Sequence, residues 1–195
     1  VVAPLMRERT IHGVIVENKS GRLAIRGRVV VDATGDGDVA ARAGVPFEVG
    51  RPSDGLAQPA TLFFKCLNMD WPRAFDYVVR NYAALVDRAK AEVGQDFVLA
   101  GTDNYLHPEE TYFNCLHEYR VDGTKGRDVS RAAMELRRKM WNNLEVLRRH
   151  VPGCESASLI ASAPALGVRE TRRIRGEYRL EMEDVLAGRS FDDRV

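Results

Sequence analysis

Residues 28–44 read RVVVDATGDGDVAARAG and set the expected order of the first part of the chain. Residues 29–31 are three consecutive valines, a β-branched run typical of a strand that is buried on both faces. Residues 32–38 then supply two glycines that allow close backbone approach, together with acids that accept hydrogen bonds. Asp38 is the expected cap of a short helix over residues 39–43. The stretch therefore predicts a strand, a nucleotide-contacting loop and a short helix.

A second segment far downstream makes this loop more informative. ATGDGD at residues 33–38 is followed by GVRETRRI at residues 167–174. In this order the two segments resemble FAD-dependent oxidoreductases of the glutathione-reductase type, which have two dinucleotide-binding folds and a buried strand that ends in an Ala-Thr-Gly turn beside the FAD. The resemblance implies FAD as cofactor, a small organic substrate, and hydride transfer between that substrate and the flavin.

The resemblance also implies which residues contact the cofactor: Ala33, Thr34, Gly35, Asp36, Gly37, Asp38 and Gln58. Gln58 follows a proline- and glycine-rich connection, at the expected entry into a substrate domain. A role for Gln58 as a simple loop cap remains the alternative.

The chain contains no G-x-G-x-x-G between a strand and a helix. The resembled flavoproteins use that unit to bind the pyrophosphate, so we expect an interior fragment that is inactive alone. FAD would be the cofactor of the full-length protein, and the fragment would bind it poorly. The expected fold class is an α/β flavoprotein fragment, α+β within itself. Residues 1–50 would be the C-terminal part of a Rossmann-like FAD-binding domain, and residues 51–195 an incomplete substrate or cap domain with a β-sheet and two long helices.

Apolar spacing predicts the elements around the loop. Residues 11–16 and 23–31 flank a polar turn and predict a hairpin that buries one side, and residues 60–67 predict a strand. Two amphipathic helices are expected, over residues 71–93 and over residues 129–151, the second capped by Asp128. A further short helix is expected over residues 181–186.

The segment GVRETRRI is dense in arginine. If residues 168–174 are extended, Arg169 and Arg173 share one face, and Arg172 lies on the other. The resemblance places this segment close to the flavin, so Arg169, Arg172 and Arg173 are the candidate catalytic residues, binding a substrate carboxylate or stabilising the reduced ring. An internal salt-bridge network is the alternative that remains open.

Composition excludes several classes of function. The formal net charge is +1, which gives no electrostatic case for nucleic acid or an anionic membrane as partner. No apolar run has the length of a membrane span, and the three cysteines are widely spaced, so we expect a cytoplasmic protein with reduced thiols. No metal is expected, because the spacing of a calcium loop that starts at Asp36 would place ligands at Ala40 and Phe47.

The alternative function belongs to another class. A non-catalytic α+β binding domain would use the arginine-rich strand to dock an acidic partner. The sequence does not indicate an oligomeric state.

Overall fold

The computed structural model describes residues 1–95, 101–103 and 110–192. The elements in chain order are β1 (Ala3–Arg7), β2 (Thr10–Asn18), β3 (Gly21–Arg26), α1 (Asp38–Arg42), β4 (Phe47–Val49), β5 (Ala60–Leu67), α2 (Trp71–Val93), β6 (Gly101–Asp103), β7 (Thr111–Glu118), α3 (Gly126–His150), β8 (Ser158–Ser162), β9 (Arg172–Ile174) and α4 (Met182–Leu186). Strands and helices are thus mixed, which agrees with the expected α/β class at this coarse level.

The chain divides into two compact units. The first comprises Val1–Val49 together with Arg172–Val195, and the second comprises Gly50–Thr171. The division into residues 1–50 and 51–195, and the Rossmann-like and cap-domain assignments, stay predictions.

The first unit begins with an antiparallel sheet in the order β1-β2-β3. The predicted hairpin is confirmed, with Val14 opposite Ile25 and Val16 opposite Leu23. The predicted burial of its apolar side is wrong for β3, because Leu23 and Ile25 are 44% and 54% exposed, whereas Val14 and Val16 on β2 are half-buried. The second strand of the hairpin also ends at Arg26, earlier than expected.

The three valines of residues 29–31 do not form the expected buried strand. Val29 and Val31 are each 82% exposed, and none of the described strands pairs with this segment. A strand buried on both faces needs neighbours on both edges and cover on both faces. β-branched residues favour the extended conformation, but they do not themselves supply those neighbours.

In the second unit a four-stranded antiparallel sheet has the order β6-β7-β5-β8. Its buried side chains form a core with those of α2 and α3, including Phe64, Phe113 and Leu144. The two aromatic rings stack with centroids 4.7 Å apart.

The predicted strand over residues 60–67 and the predicted helix over residues 71–93 are confirmed with the expected bounds. Helix α2 begins after Asp70, whose side chain accepts a hydrogen bond from the backbone N–H of Arg73, and it ends at Gly94 with φ +65°. Helix α3 begins at Gly126, so Asp128 lies within its first turn and is not its cap.

Only part of the segment GVRETRRI lies in a strand. Strand β9 covers Arg172–Ile174, whereas residues 168–171 belong to no strand. Strand β9 pairs antiparallel with β4, and Val49 lies opposite Arg172. The expected short helix near residue 181 is confirmed as α4.

Candidate functional site

The carboxylate of Asp32 organises the loop of residues 32–38. Its Oδ1 accepts hydrogen bonds from the backbone N–H of Thr34 at 3.1 Å and from the Thr34 hydroxyl at 2.8 Å. Its Oδ2 accepts from the backbone N–H of Ala40 at 2.8 Å. Partial desolvation raises the pKa of Asp32, but the hydrogen bonds from Ala40 and Thr34 outweigh it and leave the pKa below its ordinary value.

Helix α1 is capped by residues that precede it in the loop, not by Asp38 as expected. Its N-cap is Gly37, at φ +63°, which has no side chain to offer. The hydroxyl of Thr34 accepts from the backbone N–H of Asp38 at 2.8 Å, while Asp32 accepts from Ala40. These two acceptors satisfy donors that the first turn of a helix leaves without an intrahelical partner.

The sequence signal for this arrangement is only partly visible. An aspartate whose side chain accepts from the N–H two residues later is a common turn, so the contact between Asp32 and Thr34 could have been expected. The contact between Asp32 and Ala40 spans eight residues and belongs to no local capping pattern, and our sequence reasoning missed it.

The two glycines of the loop present different surroundings. Gly35 has φ +82°, and a Cβ built on it would meet nothing within 4 Å, so its backbone is open to a neighbouring molecule. Gly37 has φ +63°, and a Cβ there would lie 2.9 Å from Cδ1 of Ile174 on β9. The loop is therefore open at Gly35 and closely packed at Gly37.

The structure brings Arg172 onto this loop. Its Nη1 donates to Oδ1 of Asp38 at 2.9 Å and to the backbone carbonyl of Asp36 at 3.0 Å. Its guanidinium also lies over the ring of Phe47, 5.5 Å from the centroid. The side chain is 16% exposed, so most of it is removed from solvent.

Arg173 has different surroundings. The side chain of Arg173 is exposed, as expected for the residue that alternates with Arg172 along β9. It lines a cleft of about 660 Å³ whose other lining residues are Glu48 and residues 174–180. Within that cleft Glu48 pairs with Arg175 at 3.2 Å and with Arg179 at 3.5 Å. The alternative of internal salt bridges therefore applies to part of the arginine-rich segment.

The remaining candidates belong to the second unit. Arg169 is exposed. Gln58 is also exposed, and its backbone N–H donates to Oε2 of Glu170 at 2.9 Å. The side chain in this contact is that of Glu170, so the contact does not depend on the identity of the side chain at position 58. The cofactor and catalytic roles of all ten candidates stay predictions.

The cysteines, the possible metal ligands and the long helices were also considered from the sequence. Cys66, Cys115 and Cys154 are buried and form no disulfide, and burial raises the pKa of Cys66 and Cys154 to about 12. Among the described residues, no group of three histidine, cysteine or acidic side chains is arranged to hold a metal ion. None of the described helices is both long and apolar enough to cross a bilayer.

Comparison with protein families shows what this chain is similar to. Residues 1–195 match the family described as FAD dependent oxidoreductase. No curated protein and no solved structure matches the chain.

Proposed function

Because this chain belongs to the FAD-dependent oxidoreductase family, we propose that it forms part of an enzyme that transfers a hydride between a small organic substrate and FAD. Membership of the family implies flavin redox chemistry and oxidoreductase activity. The proposal goes further in naming hydride transfer, a small substrate, and the residues that contact each partner.

The observation that carries the proposal is the geometry of the loop of residues 33–38. Gly35 has an open backbone at positive φ, which lets a planar or charged ligand approach closely. Asp32 and Thr34 satisfy the first turn of α1, so the loop is ordered before a ligand arrives. An ordered loop loses little conformational entropy on binding. These features fit a segment that contacts a nucleotide cofactor such as FAD.

The bound flavin would supply the two-electron chemistry, and this chain would orient the reactants and stabilise charge. We assign the cofactor contact to Ala33 and Gly35 and to their loop neighbours, with Gln58 as a further candidate. We assign recognition of an anionic substrate group, or of negative charge on the reduced flavin, to Arg169 and Arg173, because both side chains are exposed. A guanidinium can bind a carboxylate through two parallel hydrogen bonds.

The chain contains no G-x-G-x-x-G, and the G-x-G-x-x-A of residues 35–40 does not directly follow a strand. The proposal therefore needs a pyrophosphate-binding unit outside these residues. We therefore expect the 195-residue chain alone to bind FAD weakly and the natural full-length protein to bind it tightly.

The test compares two glycine variants in the full-length protein. Gly35→Val places a branched side chain on the open side of the loop, at φ +82°. Gly21→Val is the matched control, since Gly21 has φ +95° and equally open surroundings but lies in the hairpin between β2 and β3. Both variants introduce backbone strain of about 1–3 kcal/mol. Only Gly35→Val should weaken FAD binding, by at least about tenfold, measured by flavin fluorescence titration.

Two results would contradict the proposal. A full-length protein that neither retains nor binds FAD would refute the assigned cofactor. Equal FAD affinity in the two glycine variants would refute the contact at Gly35 while leaving the family assignment intact.

A further inference from the structure

The contact between Arg172 and the loop has an unusual form. A single nitrogen, Nη1, bridges the carbonyl of Asp36 and the carboxylate of Asp38. The residue between these two acceptors is Gly37, which has φ +63° and the conformational freedom of a glycine. The arginine therefore spans the one position at which this part of the loop could most easily change conformation.

A second contact from the same strand acts at the same place. Ile174, two residues after Arg172, lies so close to Gly37 that a Cβ there would be 2.9 Å and 3.0 Å from two of its side-chain carbons. Residues two apart on a strand share a face, so β9 turns this face towards the loop. The hydrogen bonds of Arg172 and the packing of Ile174 thus restrain Gly37 together.

The charges of the loop also give Arg172 a role in cofactor binding. The loop carries three acids, Asp32, Asp36 and Asp38, whereas a nucleotide cofactor carries phosphates. Asp32 accepts its hydrogen bonds from neutral donors, a hydroxyl and backbone N–H groups. Asp38 instead forms an ion pair with the positively charged guanidinium of Arg172. Without that guanidinium, Asp38 would repel an anionic ligand at the loop.

We propose that Arg172 is a positioning residue, which holds residues 36–38 in the conformation that accepts the cofactor and neutralises Asp38, and that it does not touch the substrate. This inference rests on the proposed function, since it names what the loop is held in place to bind. It separates Arg172 from Arg169 and Arg173, with which it was grouped on sequence alone.

The test uses the full-length protein and FAD itself. Arg172→Met keeps a long side chain but removes both hydrogen bonds and the charge. We expect the Kd for FAD to rise about tenfold or more, because hydrogen bonds to charged groups are among the stronger ones in proteins. Arg172→Lys should recover part of the affinity, because an ammonium group restores the charge and a donor in place of Nη1, although it does not restore the packing of the planar guanidinium over Phe47.

The matched control is Arg175→Met. Arg175 lies in the same segment and also pairs with a carboxylate, Glu48, but at 3.2 Å and with a side chain that is 65% exposed. An exposed pair contributes little, so the Kd for FAD should stay within about twofold of the natural value.

A double-mutant cycle of Arg172→Met with Asp38→Asn supplies a readout that general destabilisation would not give. The two substitutions remove the same contact, so their effects on the Kd should be clearly less than multiplicative. Should Arg172→Met fail to fold, Arg172→Gln carries the test, because it also removes the charge that neutralises Asp38, with about a threefold or larger rise in Kd as the supporting result.

Three outcomes overturn the inference. The first is an Arg172→Met protein that binds FAD as tightly as Arg175→Met. The second is one that keeps its FAD affinity but loses turnover, which would make Arg172 a catalytic residue. The third is independence of the two substitutions in the cycle. If the natural protein binds no FAD at all, the proposed function fails instead.

Discussion

Replacing Asp32 by asparagine should open the start of α1 without unfolding the rest of the protein. The asparagine side chain would keep one oxygen for the two donors of Thr34, but it would direct an amide N–H₂ group at the backbone N–H of Ala40. The helix would lose its acceptor at Ala40, and the remaining two hydrogen bonds would become neutral.

The free-energy cost of Asp32→Asn can be worked out from the hydrogen bonds that it changes. Loss of a capping acceptor costs about 0.5–2 kcal/mol, and neutral hydrogen bonds are roughly half as strong as charge-assisted ones. Solvent reduces the second contribution, because Asp32 and Thr34 lie near the surface. A total of about 1–2 kcal/mol corresponds to a roughly 5- to 30-fold larger opening equilibrium for the first turn of α1.

Hydrogen exchange of the Ala40 amide measures this opening directly. Asp76→Asn is the control, because Asp76 pairs with Arg80 on the surface of α2 and accepts no bond from the loop. If the Ala40 amide exchanges at the same rate in the two variants, Asp32 is not the cap of α1 and the account of the loop is wrong.

The hydrogen bond between Asp32 and Ala40 should also make the stability of the first turn of α1 depend on pH. The pKa of Asp32 is lower in the folded protein than in the unfolded chain, where it is about 4. Its contribution to stability is therefore complete above that unfolded value, and it is lost as the pH falls through the folded pKa. Protection of the Ala40 amide in the natural protein should decrease over this acid range, and in Asp32→Asn it should not.

Further substitutions test other parts of the structure. Gly37→Ala should destabilise the protein by about 1–3 kcal/mol in urea denaturation, through positive φ and collision with Ile174; full stability would contradict the packing of β9 on the loop. Leu144→Ala, at a fully buried position, should cost about 2–5 kcal/mol, and a loss below about 1 kcal/mol would contradict its place in the core. Cys66 and Cys154, whose pKa is raised to about 12, should react with iodoacetamide at about pH 8 only after unfolding; rapid labelling of the native protein would contradict their burial.

The elements that sequence reasoning located well are those whose information is local. Helix α2 has an apolar stripe, a proline in its first turn and Gly94 at its end, and each of these signals acts within a few residues. Strand β5 combines aromatic and β-branched residues in the same way. For such elements the residues that form the sequence pattern are the same residues that stabilise the element in the structure.

The segment at residues 29–31 shows where this agreement stops. Three valines favour an extended backbone, but their burial depends on neighbouring strands and covering side chains from elsewhere in the chain. The high exposure of Val29 and Val31 shows that the described residues do not supply those partners.

For the candidate site, the glycine positions of the loop could be predicted from the sequence, but the side-chain contacts of the loop could not. The two glycines of the loop are visible in the sequence as the residues that tolerate positive φ, and Gly35 and Gly37 both adopt it. The bond between Arg172 and Asp38 joins residues 134 positions apart, and one sequence contains no signal that pairs them. Period two placed Arg172 and Arg173 on opposite faces, but only the structure shows which face meets the loop.

The pairing of β4 with β9 makes the second unit an insertion in the first. Val49, the last residue before Gly50–Thr171, lies directly opposite Arg172, the first residue after it. Paired residues in an antiparallel ladder have Cα atoms about 4.5–5.5 Å apart, which is the span that a two-residue hairpin turn closes. An Asn-Gly linker could therefore replace Gly50–Thr171 and join β4 to β9 directly. Such a miniature protein would carry the loop, its capping residues and Arg172 in a chain small enough for complete NMR assignment.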